Sequence, residues 1–149
     1  MIVMTWNVRG FGKGEKKVIV NGLVNRHNPE ILFIQESKLK VFNNKVIRSL
    51  GGSRLTTGVG VEIVGASGGL ITLWDENAFK AEDCITNRRC IIVAGVLTKI
   101  NQHIVFCNVY AASVEAEMRE MWGFILSSMQ SLSAPWCLGG DFNTILDQS

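Results

Sequence analysis

Gly139-Gly140-Asp141-Phe142-Asn143 lies six residues from the end of this 149-residue chain and decides how the rest is read. The two glycines let backbone approach a ligand closely, because neither carries a Cβ. The aspartate and asparagine follow at i and i+2, a spacing that puts both side chains on one face of an extended segment. An acid and an amide aimed at one point suit a phosphate–metal site. The acid orients water or metal, and the amide donates to a phosphoryl oxygen. An Asx turn after the glycines is the alternative reading of the same residues.

Three upstream runs have the same character. Residues 1–8 read Met-Ile-Val-Met-Thr-Trp-Asn-Val and lead into Arg9-Gly10. Residues 30–37 read Glu-Ile-Leu-Phe-Ile-Gln-Glu-Ser, an apolar run closing on a carboxylate. Residues 103–111 contain Asn108-Val109-Tyr110. Each is an apolar strand-like run ending in a group able to touch phosphate or metal. Ligand sites in layered α/β folds are built where strand carboxyl ends leave the core.

Thr5-Trp6-Asn7-Val8-Arg9-Gly10, Gln35-Glu36-Ser37-Lys38, Asn108-Val109-Tyr110 and Gly139-Gly140-Asp141-Phe142-Asn143 resemble the ordered motifs of the endonuclease/exonuclease/phosphatase superfamily. Within it, Ser67-Gly68-Gly69-Leu70 with Trp74, and Pro135-Trp136, are similar to the apurinic-like endonuclease domain that opens plant LINE-type (non-LTR) retrotransposon polyproteins. The resemblance covers nearly the whole chain, and its strength lies in the order and intervals of the motifs.

Composition sets the outer limits. A chain of 149 residues suits one domain, here residues 1–149, and buries a real core. With 47% hydrophobic and 19% charged residues it is globular rather than disordered. The longest apolar runs fall far short of a membrane span, and strand-like residues begin at Ile2, which argues against a secretory signal. Cys84, Cys90, Cys107 and Cys137 form no Cys-x-x-Cys pair, and only two histidines accompany them, so a structural zinc site is not expected. Cys107 and Cys137 read as small core residues, and a reducing intracellular compartment fits, nuclear if the chain is part of a retroelement protein.

The net charge of +2 is unevenly spread. Residues 1–54 carry ten Lys/Arg against three acids, residues 55–114 four against five, and residues 115–149 one against five. A basic first third could hold a polyanion. Solvated helix and loop faces are the plainer reading for most of its lysines.

Along the chain, residues 2–8 and 31–36 read as buried strands and residues 15–27 as a helix with Val18, Ile19, Leu23 and Val24 on its apolar stripe. A short helix is expected over residues 43–50. The middle reads as strands at residues 59–64, 70–74, 79–85, 90–98 and 103–110, with short links that suggest antiparallel hairpins. Val114, Met118, Met121, Trp122, Ile125, Met129 and Leu132 recur at helical spacing, with Ser113 as the expected cap. A last strand is expected at residues 136–139. The pattern predicts an α/β class with a mixed sheet.

The resemblance implies two sheets packed face to face between helices. The first would be largely present. The second would be incomplete, drawing only on residues 136–139, with the stretch from Thr144 to Leu146 as a further candidate. That incompleteness leaves exposed apolar surface through which the chain could associate.

The resemblance also implies roles. Asn7, Glu36, Tyr110, Asp141 and Asn143 would form the catalytic set. Glu36 and Asn7 would hold Mg²⁺, with Mn²⁺ as a substitute and no small-molecule cofactor. Asp141 would orient the attacking water, and Asn143 and Tyr110 would contact the phosphate. Arg9 and Lys38 would face DNA, the expected partner. From the residues alone, Tyr110 reads equally as a core residue with a satisfied hydroxyl, and Arg9 as half of an ion pair.

Two departures stand out. Ala111-Ala112 replaces a proline that the family usually has soon after Tyr110. The family's later aspartate and closing Asp-His or Ser-Asp-His have no match, since His27 and His103 are the only histidines and neither follows Ser-Asp. The expectation is the front part of a longer domain, a DNA-nicking phosphodiesterase that is weak or inactive by itself. The alternatives are a catalytically dead retroelement remnant that only binds nucleic acid or another chain, or a phosphatase of the same superfamily.

Overall fold

A computed structural model describes residues 1–143. The elements run β1 (Val3–Asn7), α1 (Glu15–His27), β2 (Ile31–Gln35), α2 (Asn44–Gly51), β3 (Thr57–Val61), β4 (Leu70–Trp74), β5 (Phe79–Thr86), β6 (Cys90–Leu97), β7 (Gln102–Tyr110), α3 (Glu115–Ser131) and β8 (Trp136–Asp141). The strands form two four-stranded sheets, ordered β1-β2-β4-β3 and β5-β6-β7-β8. The first sheet pairs β1 with β2 in parallel and is otherwise antiparallel. The second pairs β7 with β8 in parallel after the antiparallel β5-β6-β7 meander.

The two parallel pairs place the site. Parallel neighbours need a crossover, and here α1 and α3 supply it. Each β-α-β unit therefore delivers two strand carboxyl ends to the same end of its sheet.

Three apolar clusters give the molecule four layers. Val20 and Val24 of α1 and Val46, Ile47 and Leu50 of α2 cover the outer face of the first sheet. Phe33, Phe79 and Phe106 meet between the sheets, edge to face with ring centroids 6.3 and 5.1 Å apart. Met121 and Ile125 of α3 cover Val105, Cys107 and Val109 on the outer face of the second sheet. Strands β2 and β4 are buried along their whole length, as expected of unbroken apolar runs at the centre of a sheet covered on both faces.

The strand allocation differs from expectation. β5, β6 and β7 belong with β8 in the second sheet, rather than β8 alone. The link over residues 75–78 is as short as a hairpin turn, but it carries the chain from one sheet to the other. Thr144 to Leu146, the other stretch expected there, lies outside the described residues.

Two helices also differ in detail. α1 buries Val20 and Val24, while Val18 and Ile19 of its expected stripe are 72% and 52% exposed. Packing on the sheet selects the i, i+4 pair Val20 and Val24 over the adjacent Val18 and Ile19. α3 is preceded by Val114 at its N-cap, with no side-chain cap bond, so Ser113 stands one residue too early to serve. Met121, Ile125 and Ser128 are its buried line, Met118, Trp122 and Met129 flank it half-buried, and Val114 and Leu126 are exposed. Among the described residues no helix is long and apolar enough to cross a membrane.

Candidate active site

Asn7 ends β1, Gln35 ends β2, Tyr110 ends β7 and Asp141 ends β8. Asn7 pairs with Gln35 in one sheet, and Tyr110 pairs with Asp141 in the other. The four strand ends meet because β1 lies against β8 at the edge of the sandwich. Asn7 Nδ2 donates to Asp141 Oδ2 at 2.8 Å across that junction. A cleft of about 620 Å³ opens there, lined by Thr5, Asn7, Arg9, Gln35, Asp141 and Asn143 among others.

Local backbone geometry aims these groups. Asp141 Oδ1 accepts from the Asn143 N–H at 2.9 Å, so the Asx turn and the inter-sheet bond coexist on one carboxylate. Asn7 Oδ1 accepts from the Arg9 N–H at 3.0 Å. Gly140 has φ 135°, a conformation that an L side chain rarely adopts, and an added Cβ would strike the Val109 carbonyl. Arg9, Glu36, Lys38 and Asn143 all have φ between 47° and 55°. Left-handed non-glycine backbone costs on the order of 1 kcal/mol per residue, and such strain concentrates at functional sites.

Glu36 is pinned from both sides. Its carbonyl accepts from Gly10 N–H at 2.7 Å, and the flanking Gln35 and Ser37 carbonyls accept from Val8 and Phe11. On the other side Ser37 and Lys38 donate to the Gly69 and Gly68 carbonyls at 3.1 and 3.0 Å. A Cβ on Gly69 would collide with Ser37 Oγ, which gives the Ser67-Gly68-Gly69 turn its structural reason. Lys38 Nζ lies 3.6 Å from Glu36 Oε1. Lys38 is thus engaged with the carboxylate rather than held apart from it. Arg9 lines the cleft and, among the described residues, makes no ion pair within 4.0 Å.

The floor is a buried amide network. Gln35 Nε2 donates to Thr5 Oγ1 at 3.0 Å and to Asn108 Oδ1 at 2.8 Å. Asn108, fully buried, donates from Nδ2 to the Ile71 carbonyl at 2.9 Å and to Thr72 Oγ1 at 3.2 Å. Asn108 therefore stitches the second sheet to the first. The sequence marks it only as an amide in an apolar run, which cannot distinguish a floor from a ligand-facing group.

Tyr110 sits between the charged groups. Burial pushes its phenol above the ordinary value, the Glu36 carboxylate pushes further, Arg89 opposes and Asp141 adds to the rise. The hydroxyl is thus held protonated, as a donor. Arg89 places its guanidinium 5.7 Å from the Tyr110 ring centroid, and its carbonyl accepts the Tyr110 N–H at 2.9 Å. In the sequence this arginine falls in the short link between the strands expected at residues 79–85 and 90–98.

The candidate donors at these strand ends are oxygens, from the carboxylates of Glu36 and Asp141 and the amide of Asn7. Mg²⁺ favours hard oxygen ligands and often takes only one or two carboxylates, with water and phosphate completing the shell. The Glu36 carboxylate and the Asn7 amide oxygen are donors of the type that ion takes. Among the described residues no three His, Cys, Asp or Glu side chains cluster as a metal cage. Neither histidine reaches the cleft. His27 ends α1, and His103 lies near the start of β7, far along the strand from Tyr110, 3.4 Å from Glu82.

A sequence model of the Endonuclease/Exonuclease/phosphatase family matches residues 4–149. No curated protein matches the chain. Among solved structures, a functionally unknown conserved protein from Enterococcus faecalis V583 is similar at TM-score 0.68 and 22% identity, over 97% of this chain and 67% of its own. The mannosyl-6-phosphatase Bt3783 of Bacteroides thetaiotaomicron VPI-5482 is similar at TM-score 0.73 and 16% identity, over 98% and 67%. The AP endonuclease LMAP of Leishmania major is similar at TM-score 0.60 and 18% identity, over 94% and 54%. The chain spans about half to two thirds of the length of these structures. At such identities the likeness shows the α/β sandwich alone, and one fold carries different substrates. With the family model spanning almost every residue, the chain belongs to the endonuclease/exonuclease/phosphatase family, a hydrolase superfamily acting on phosphoester bonds.

Proposed function

We propose that this chain carries the phosphate- and metal-binding face of a divalent-metal-dependent phosphodiesterase that nicks DNA, of the LINE-retrotransposon kind, working in the nucleus. One observation carries the reading: the Asn7–Asp141 bond at 2.8 Å, which unites the carboxyl ends of two parallel strand pairs from different sheets. The motif resemblance at Ser67-Gly68-Gly69 and Pro135-Trp136 supports the retroelement assignment.

Glu36 and Asn7 would hold the Mg²⁺ or Mn²⁺ ion, which when bound neutralises charge on the phosphate. Asp141 orients water for in-line attack and takes its proton. The new P–O bond forms to that water as the opposite ester bond breaks, and the leaving oxygen departs as an alkoxide that takes a proton from solvent. Asn7 Nδ2 fixes Oδ2 and the Asn143 N–H fixes Oδ1, so the carboxylate cannot swing away. Tyr110 and the Asn143 side chain donate to phosphoryl oxygens, where charge develops.

The test is plasmid nicking with Mg²⁺ by the chain and by Glu36→Gln and Asp141→Ala variants. Nicking lost in both variants supports the reading, and nicking that survives both excludes this site as its source. Duplex binding without hydrolysis, by the chain and by a form extended to the length of its matched structures, selects an inactive remnant. Hydrolysis of a phosphomonoester with plasmid untouched selects a phosphatase.

A further inference from the structure

Arg89 and Glu117 form an ion pair at 2.9 Å, with the guanidinium beside the Tyr110 ring and side chains 20% and 46% exposed. We infer that this pair is a gated phosphate subsite, in which Glu117 occupies Arg89 until a phosphate flanking the scissile ester displaces it. The inference rests on the reading that a polynucleotide ester sits at Asp141.

Arg89 is built into position rather than left to wander. Asn87 Oδ1 accepts from the Arg89 and Cys90 N–H groups at 2.8 and 2.9 Å, fixing the turn. The Arg89 carbonyl is tied to Tyr110 N–H at 2.9 Å, and its guanidinium lies 5.7 Å from the Tyr110 ring centroid. Tyr110 is the register partner of Asp141. The cation therefore stands one aromatic ring away from the residue that would orient the water. A nucleic acid strand carries a phosphate about every 3.4 Å of axis. An ester seated at Asp141 therefore has neighbouring phosphates along the strand, and the Arg89 guanidinium on the Tyr110 side is the cation proposed to take one.

Glu117 is suited to leave. It sits in the first turn of α3, on a different element from Arg89, and its pair is part-exposed. Such pairs are weak, while a guanidinium fork meets phosphate in bidentate fashion. Glu115, two residues earlier, is a natural control. It pairs with Arg119 at 2.6 Å on the open side of the helix, with both side chains nearly four-fifths exposed.

The experiment is fluorescence anisotropy with a labelled DNA duplex in EDTA, read across a salt series. Arg89→Met should weaken binding several-fold and flatten the slope of log affinity against log salt by about 1. Glu117→Gln should tighten binding, and Glu115→Gln should leave it nearly unchanged. Melting curves confirm that each variant folds. Equal weakening by Arg89→Met and Glu117→Gln, with the slope unmoved, would make the pair structural and overturn the inference. So would equal tightening by Glu115→Gln and Glu117→Gln, or absence of duplex binding by the parent chain at low salt. A parent chain that binds with this pattern but never nicks in Mg²⁺ leaves the subsite standing and removes only the catalytic reading.

Discussion

Asn7 and Asp141 are bonded, Nδ2 to Oδ2 at 2.8 Å, although 134 positions separate them in the chain. The bond spans two sheets, and each partner makes a second bond to backbone beyond its strand. It follows that Asn7→Ala should free one oxygen of Asp141 to rotate. Misplaced reacting groups cost roughly 10²-fold, so nicking should fall by about that factor. Asn7→Asp should do something different. A second carboxylate beside Asp141 raises one pKa of the pair, so residual activity should shift to higher pH. A pH–rate profile without that shift would separate Asn7 from Asp141 functionally.

Asn108 should matter more to stability than its neighbours suggest. Asn108→Leu removes bonds to Gln35, the Ile71 carbonyl and Thr72 within a buried network. Unsatisfied buried groups cost about 1–3 kcal/mol each, so the variant should lose several-tenths to most of its margin in urea melts. A midpoint within error of the parent would show that the network is not a staple between the sheets.

Much of this site was legible because polar residues close apolar runs at Asn7, Glu36, Tyr110 and Asp141. The strand period and the Gly-Gly dipeptide mark where backbone turns out of the core. What stayed hidden depends on pairing between distant segments. The short link at residues 75–78 looks like any hairpin, yet it changes sheets. Val24 lies on the expected stripe, but nothing local distinguishes Val18 and Ile19 from Val20 before the helix meets its sheet. Arg89 gains its place only when β6 and β7 pair and bring it over Tyr110.

Tyr110→Phe tests the phenol as donor. Loss of one preorganised donor to developing charge costs up to about 10²–10³-fold at strong sites, and a milder loss of roughly tenfold is expected at this partly exposed one. Its pKa stands above the ordinary tyrosine value, first through burial and then through Glu36. The sign follows. A raised folded-state pKa gives stability that is fully present below the unfolded value, about 10, and is lost as pH rises through the folded value. The parent should therefore lose stability faster than Tyr110→Phe at strongly alkaline pH. Parallel curves for the two proteins there would deny the shift.

Gly140 tests whether the strand end must be glycine. Its φ of 135° and the Val109 carbonyl against its Cβ position leave no relaxed conformation for alanine. Gly140→Ala should destabilise by more than the roughly 1 kcal/mol of an ordinary glycine exchange and should displace Asp141 from Asn7. Loss of nicking with an unchanged melting temperature would place the effect at the carboxylate alone. Unchanged nicking and unchanged melting would mean that the strand end adjusts freely.

The metal and the contribution of an imidazole can be tested together. Both histidines lie away from the cleft, His103 being held beside Glu82 at 3.4 Å. A positioned acid–base group typically contributes about 10²–10⁴-fold. With Asp141 but no imidazole at the cleft, the 149-residue chain should nick only weakly, and an extension to the length of its matched structures should raise the rate by that order. EDTA should abolish nicking in both forms, with Mg²⁺ or Mn²⁺ restoring it. Calorimetry with Mg²⁺ should still show weak binding by the short form, lost in Glu36→Gln, because cation binding needs fewer placed groups than in-line attack. Strong nicking by the short form that Glu36→Gln abolishes would keep the site and refute the need for an added histidine. Nicking that persists in EDTA would remove the metal from the reaction.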